Sequence, residues 1–435
     1  MTPISIFIEI PEKRKAQAQF AFEMLLQPLK CRPVFLHNRE DLRKGLYYGT
    51  QPQTSSQILH LPYIWPEDDL PNMRLLEIRN QLVPIVYAHE QPYDLVSSAF
   101  FWLADVQSRL IKERDVHGRF RYKASFQAKW GFEPLPFVDY YRLHLQSKMH
   151  QMGLHTGKVD WQGHPFAACM THDIDHLYKW TLRRWWKEKR PKAALFQRID
   201  GYEKGLSRLL EVDEQWNLKA TWFFKGGANA PEDHYYPLHA PATQDLFQRI
   251  VRAKHEIGLH PAYFTHAHPA YFQKETANLR QNAPTNITSV RQHYLRWDHG
   301  HTPQLQQENG FRLDAGLSFV DRDGYRNGTC LPFRIFDWCK NKSTSVWEMP
   351  LCLHDTTLMQ YQNLNAHQAL ERTHFWLDET KRFNGVLVGL WHNVIYDTEE
   401  YPGWATHFEA SAKVFGTSGA WCPTLNEALT VFLTS

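Results

Sequence analysis

The chain has almost no charge imbalance: 49 Lys and Arg stand against 46 Asp and Glu in 435 residues, a formal charge of +3. No basic stripe stands out, which argues against a nucleic-acid-binding protein. No apolar stretch approaches the roughly 20 residues needed to cross a bilayer, so no integral membrane segment is expected. The opening MTPISIFIEIPEKRK has no basic region ahead of a long apolar core and reads as a strand, not a signal peptide. Cysteines are few. Cys31, Cys169, Cys330, Cys339, Cys352 and Cys422 are scattered without a CxxC pair, so free thiols and a cytoplasmic location are the expectation. Repeats and low-complexity tracts are absent too.

Hydrophobic residues make up 43% of the chain, enough for a large buried core. The 26 Phe, 19 Tyr and 16 Trp suit both that core and flat platforms for sugar rings. Of the 24 His, most lie beyond residue 150, which tilts metal or acid–base chemistry toward the C-terminal part.

Two domains are expected, 1–152 and 153–435, divided at the turn-rich GLHTGKVDWQGHP (153–165). The first reads as mixed α/β, with strands at 5–10, 31–37 and 56–64 and helices at 15–29, 94–111 and 136–149. Asp94 is the expected N-cap of the second helix. Beyond the boundary, seven short apolar runs alternate with amphipathic stretches: 166–172, 219–225, 256–260, 287–294, 311–316, 345–351 and 385–392. Such alternation predicts βα units, a mostly parallel sheet and an α/β barrel, irregular or incomplete.

In such barrels chemistry collects at the C-terminal ends of strands. The first run ends in THDIDH (171–176), where Asp173 and Asp175 lie two residues apart. Two carboxylates at one pocket raise each other's pKa unless a cation intervenes. A divalent ion on one would leave the other as general base. A helix N-cap is the bland alternative for either residue. Other strand ends supply His260, Arg291 with His293, Asp314, Glu348 and His392.

With THDIDH, KHEIGLHP (254–261), SVRQHY (289–294) and GLWH (389–392) in that order, residues 166–435 resemble the polysaccharide deacetylases of the NodB-homology type. These are metal-dependent carbohydrate esterases with a distorted (β/α) barrel. The whole chain resembles a subgroup with an extra N-terminal domain, recognisable also by DVHGRF (115–120) and RNGTCLPF (326–333). The resemblance implies Asp173 as base, Asp175 and His260 as metal ligands, Arg291 as partner of the base and His392 as general acid. It implies a divalent ion, zinc being the expected one. The family's second metal histidine falls four residues after the first, where this chain has Phe264. The third ligand is therefore sought among His172, His176, His266 and water, with His172 placed first. The family's Asp-Trp motif matches Asp337-Trp338, while Asp314 fits better by strand order.

The expected activity is removal of an N- or O-linked acetyl group from a sugar or polysaccharide. Asp314, Glu348, His293 and Trp338 are the candidate substrate contacts, and Trp297 and Trp391 are further stacking candidates. The alternative is a non-catalytic carbohydrate- or partner-binding protein on the same barrel, with a degenerate metal site.

Overall fold

The computed structural model of the chain describes residues 1–51, 55–64, 73–87, 92–179 and 201–435. The N-terminal part builds a four-stranded parallel sheet from β1 (Thr2–Glu9), β2 (Cys31–Leu36), β3 (Gly45–Gly49) and β4 (Ile58–Pro62). Its order is β2-β1-β3-β4. A hairpin of β5 (Arg74–Ile78) and β6 (Gln81–Ile85) follows, its turn made by Arg79 and Asn80 at φ 51° and 63°. Two consecutive left-handed residues match the right-handed twist of the strands they join. The expected helix over 94–111 is two helices. Asp94 caps Leu95–Leu103 by accepting from the Ser97 amide, and a break at Asp105, itself at φ 51°, precedes Val106–Leu110.

The remainder forms one nine-stranded sheet: β7 (Ala167–Ile174), β8 (Ala220–Lys225), β9 (Glu256–His260), β10 (Ser289–Val290), β11 (Leu313–Asp314), β12 (Phe333–Asp337), β13 (Lys342–Glu348), β14 (Leu351–His354) and β15 (Val386–Leu390). The order is β12-β13-β11-β10-β9-β8-β7-β15-β14, and every neighbouring pair is parallel except β12–β13. Helices such as Gly201–Gln215, Pro241–Arg252 and Ala366–Arg382 connect the strands. The fold class is therefore the expected one, with nine strands where seven were anticipated.

The sheet is strongly curled. Arg291, just past β10, donates to Thr171 and Asp173 of β7 at 2.8 and 2.9 Å. Three strand spacings separate β10 from β7, about 14 Å in a flat sheet. Only curvature brings these side chains into contact. Among the described residues no ladder joins β12 to β14, so the barrel stays open on that side.

The two parts share one core. Phe20 and Phe100 from the N-terminal part pack edge-on against Phe336 of β12, with centroids 5.2 and 5.0 Å apart. Across the same boundary Asn327 donates to the Trp102 and Leu103 carbonyls, and Thr329 to Asp139. A boundary this apolar and this hydrogen-bonded fixes the N-terminal part against the barrel.

Candidate active site

A cavity of about 320 Å³ opens at the C-terminal ends of the barrel strands, with Asp173, Asp175, His260, His293 and His392 on its wall. Three ligand atoms, one each from Asp175, His260 and His293, lie within 4.8 Å of one another. The His260 Nδ1 is 2.6 Å from the Arg291 carbonyl, which can only accept, so Nδ1 carries the hydrogen of the neutral ring. Its Nε2 lone pair then faces Asp175 Oδ1 at 3.2 Å and Asp173 Oδ2 at 3.7 Å. His293 Nε2 approaches the same Asp175 oxygen to 3.3 Å, while its Nδ1 lies 2.8 Å from Asp233 and 2.7 Å from the Lys225 ammonium.

This arrangement fits a metal. Asp175 Oδ1 is buried with no hydrogen-bond partner, although two imidazole nitrogens surround it. Ligands about 2.0–2.2 Å from a tetrahedral zinc lie about 3.3–3.6 Å from each other, close to the separations seen. Two imidazoles and a carboxylate are a catalytic zinc set that leaves a fourth position open. Asp233 would orient His293 as carboxylates commonly orient metal-bound histidines.

Asp173 sits beside this group. Burial pushes its carboxyl up, but Arg291, His260 and His392 outweigh burial and hold it below the ordinary carboxylate range. Arg291 is fully buried, tied by Nε to the Ala315 carbonyl at 2.6 Å and stacked 4.5 Å over the Phe223 ring. Its direction is therefore fixed before any substrate arrives. Behind His392, the buried Asp355 accepts from the His392 amide at 2.8 Å and lies 2.9 Å from His392 Nδ1. Burial pulls the His392 pKa down, yet Asp355, Asp175 and Asp173 raise it to about 10. Asp355 itself is held at about 2, its burial overcome by His392 and His354. His354, Asp355 and His392 are also a compact group of possible ligands. Asp355 already binds both the ring and the main chain of His392, so the two form a fixed carboxylate–imidazole dyad.

The structure thus brings together Asp173, Asp175, His260, Arg291, His293 and His392. It separates others. His172 is fully buried behind β7, with Nδ1 3.0 Å from the Trp391 carbonyl and Nε2 3.1 Å from Asp213, so neither nitrogen is open to an ion. His293, expected to touch substrate, lies instead in one group with Asp175 and His260. Phe264 lies 40% exposed beyond the end of β9, and the second imidazole of the group, His293, comes from just past β10 instead.

Asp314 and Glu348 are fully buried and do not line the cavity. Asp314 accepts from Gln306 and the Gly316 amide, and Glu348 from the Leu317 amide. Burial raises both carboxyls, and the Asp314 charge pushes Glu348 further up, while Arg291 opposes both shifts. Trp338 lies at the joint between the two parts, donating to the Ala104 carbonyl with Arg109 4.1 Å over its ring. Trp391 is a core residue. The aromatic side chains on the cavity wall are Tyr294, Tyr361, Tyr401 and Trp404. Asp355 and Asp233 escaped the sequence reading. The first carries a signal, because LHD at the end of β14 echoes THD in β7. The second lies in a loop and carries none.

Residues 6–153 match the model of a family of unknown function (DUF7033). No curated protein matches the chain. Among solved structures, a protein described as a polysaccharide deacetylase from Mycobacterium smegmatis aligns with a TM-score of 0.46 at 20% identity, over 63% of this chain and 92% of its own. A chitin deacetylase from the fungal pathogen Colletotrichum lindemuthianum gives 0.34 at 16% identity, over 60% and 86%. A CE4-family pseudoenzyme from Bacillus anthracis gives 0.31 at 12% identity, over 60% and 65%.

Proposed function

We propose that this chain is a metal-dependent hydrolase that removes an acetyl group, N- or O-linked, from a sugar or polysaccharide. The observation that carries the reading is the meeting of three devices at one cavity. They are the Asp175–His260–His293 ligand group, the Asp173–Arg291 pair and the His392–Asp355 dyad.

A divalent ion held by Asp175, His260 and His293 would supply Lewis-acid polarisation of the acetyl carbonyl. Asp173, kept ionised by Arg291, accepts the proton of the attacking water. His392, kept protonated by Asp355, delivers a proton to the leaving amine or alkoxide on the other side of the scissile bond. Tyr294, Tyr361 and Trp404 give the wall flat, amphipathic faces suited to a sugar ring.

Asp173→Asn tests the proposal. Acetate release from acetylated glycans is expected to fall at least about 10²-fold, the scale of a lost general base, with fold and bound metal retained. A non-catalytic binding protein would release no acetate as wild type and would bind its glycan equally well after the substitution.

A further inference from the structure

The N-terminal part reaches into the cavity. His117 and Arg119 of the DVHGRF segment are on its wall, together with Asp173 of β7, His260 of β9 and His293–Leu295 just past β10. The segment is a self-contained turn. Asp115 accepts from the main-chain amides of His117 and Arg119, both at 2.9 Å, and from Arg119 Nε at 2.8 Å. Gly118 turns the chain at φ 78°. Arg119 is 7% exposed, and its charge is already matched by Asp115.

What the turn holds is informative. Arg119 Nη2 donates to the Tyr361 hydroxyl at 2.7 Å, and Nη1 reaches the Tyr294 carbonyl at 3.4 Å. The guanidinium lies over both rings, 5.6 Å from Tyr294 and 5.8 Å from Tyr361. His117 packs 4.7 Å from the Tyr294 ring and places Nδ1 3.0 Å from the Tyr263 hydroxyl. Among the described residues its Nε2 has no hydrogen-bond partner. Tyr294 directly follows the ligand candidate His293, and both Tyr294 and Leu295 are left-handed, at φ 61° and 53°. Consecutive non-glycine residues in that region cost of order 1 kcal/mol each and persist only where neighbours hold them. The strained turn presents Tyr294 to the cavity, and the N-terminal loop buttresses it.

The rings continue outward. Tyr263 lies 5.3 Å from Tyr294 and 5.0 Å from Phe264, with Arg296 4.0 Å over Tyr263 and 5.5 Å from Phe264, which is exposed. The row starts at Tyr294 on the cavity wall and runs out to the exposed Phe264, beyond the ring that would carry the acetyl group. A chain of sugars would lie along it.

We infer that the 115–119 loop is a specificity wall: His117 contacts a second sugar ring of an acetylated oligosaccharide, and Arg119 positions Tyr294 and Tyr361 for it. This deepens the proposed deacetylation and rests on that reading for the glycan. It gives the N-terminal part a role at the site. The loop selects chain length, and the barrel cuts.

The test is calorimetric binding by the full chain, with acetate release measured separately. N-acetylglucosamine and its β-1,4 trimer, and O-acetylated xylose and its trimer, are compared on wild type, His117→Ala, Arg119→Lys and Asp173→Asn. Wild type is expected to bind a trimer at least about tenfold more tightly than its monomer, the worth of one aromatic stack. His117→Ala should bring that ratio within about threefold. Arg119→Lys, which keeps the charge but not the fork, should do so in part, and Asp173→Asn should keep it. Where acetate is released, the change should fall on KM more than on kcat. A length preference unchanged in His117→Ala overturns the inference, as does a wild type that has no preference or binds none of these sugars. A preference that His117→Ala abolishes in a chain releasing no acetate supports the wall and removes the hydrolase reading instead.

Discussion

Asp355 touches no cavity space that substrate would fill, yet the acid role proposed for His392 depends on it. It fixes the ring from Nδ1, leaving Nε2 toward the cavity, and its charge keeps the imidazole protonated. Asp355→Ala is therefore expected to lower acetate release by about 10²-fold or more while leaving metal content unchanged. The ligand set makes a second, separate prediction at the same scale. In elemental analysis of purified protein, His293→Ala should lose the bound divalent ion and His172→Ala should keep it. His172→Ala should instead destabilise the chain, because Asp213 would lose its buried partner. Metal retained in His293→Ala, or lost selectively in His172→Ala, would mean the ligand group has been wrongly read. The sequence left His172, His176, His266 and water open as the third ligand, with His172 first. Strand alternation decides otherwise: neighbours in a strand face opposite sides, so His172 points away from the cavity that Asp173 faces.

The strand ends work as an element only if the strands keep their spacing. Gly258 in β9 shows how little room there is. A Cβ there would lie 2.6 Å from the Phe223 ring and 3.2 Å from the Ser289 carbonyl. Phe223 carries the Arg291 guanidinium on its face, and Arg291 holds Asp173. Gly258→Ala should cost about 1–3 kcal/mol in denaturant unfolding and lower acetate release as well, since displacing Phe223 displaces the arginine. Stability equal to wild type would show that the ring can move freely. This kind of close packing explains which parts of the fold the sequence reveals. The seven expected barrel strands are all present, because buried parallel strands are continuous apolar runs bounded by polar helices. The two missed strands fail that test for different reasons. The run 345–351 contains the end of β13 and the start of β14, and only Pro350, which has no amide for the ladder, marks the bend between them. β12 begins right after Pro332 and pairs antiparallel at the sheet's edge, outside the βα alternation. Asp355 was hidden with β14, since its meaning comes from the strand that delivers it.

Across the whole molecule, the two parts are locked by charge as well as by rings. Asp105 lies between the helices Leu95–Leu103 and Val106–Leu110, and Arg326 of the barrel reaches it at 2.5 Å. Both are almost completely buried, at 2% and 4% exposure. Burial raises the Asp105 pKa, but Arg326 and His299 more than reverse this and bring it to about 2 from an ordinary 3.8. A depressed folded value means stability that is fully present above about 3.8 and lost as pH falls toward 2. The shift corresponds to about 2 kcal/mol. Asp105→Asn isolates the charge, because asparagine tolerates the left-handed conformation this residue adopts. It leaves the Arg326 guanidinium buried without its counter-charge, which typically costs about 3–5 kcal/mol. Thermal or urea unfolding at pH 7 should show that loss, and the gap between variant and wild type should narrow as pH falls through 3.8. A gap that stays constant down to pH 2 would show that the ion pair adds nothing to the joint. If the gap narrows as expected, acid should also loosen the 115–119 loop from the cavity, because Arg326 lies 5.5 Å over the ring of Phe120, the residue that follows that loop.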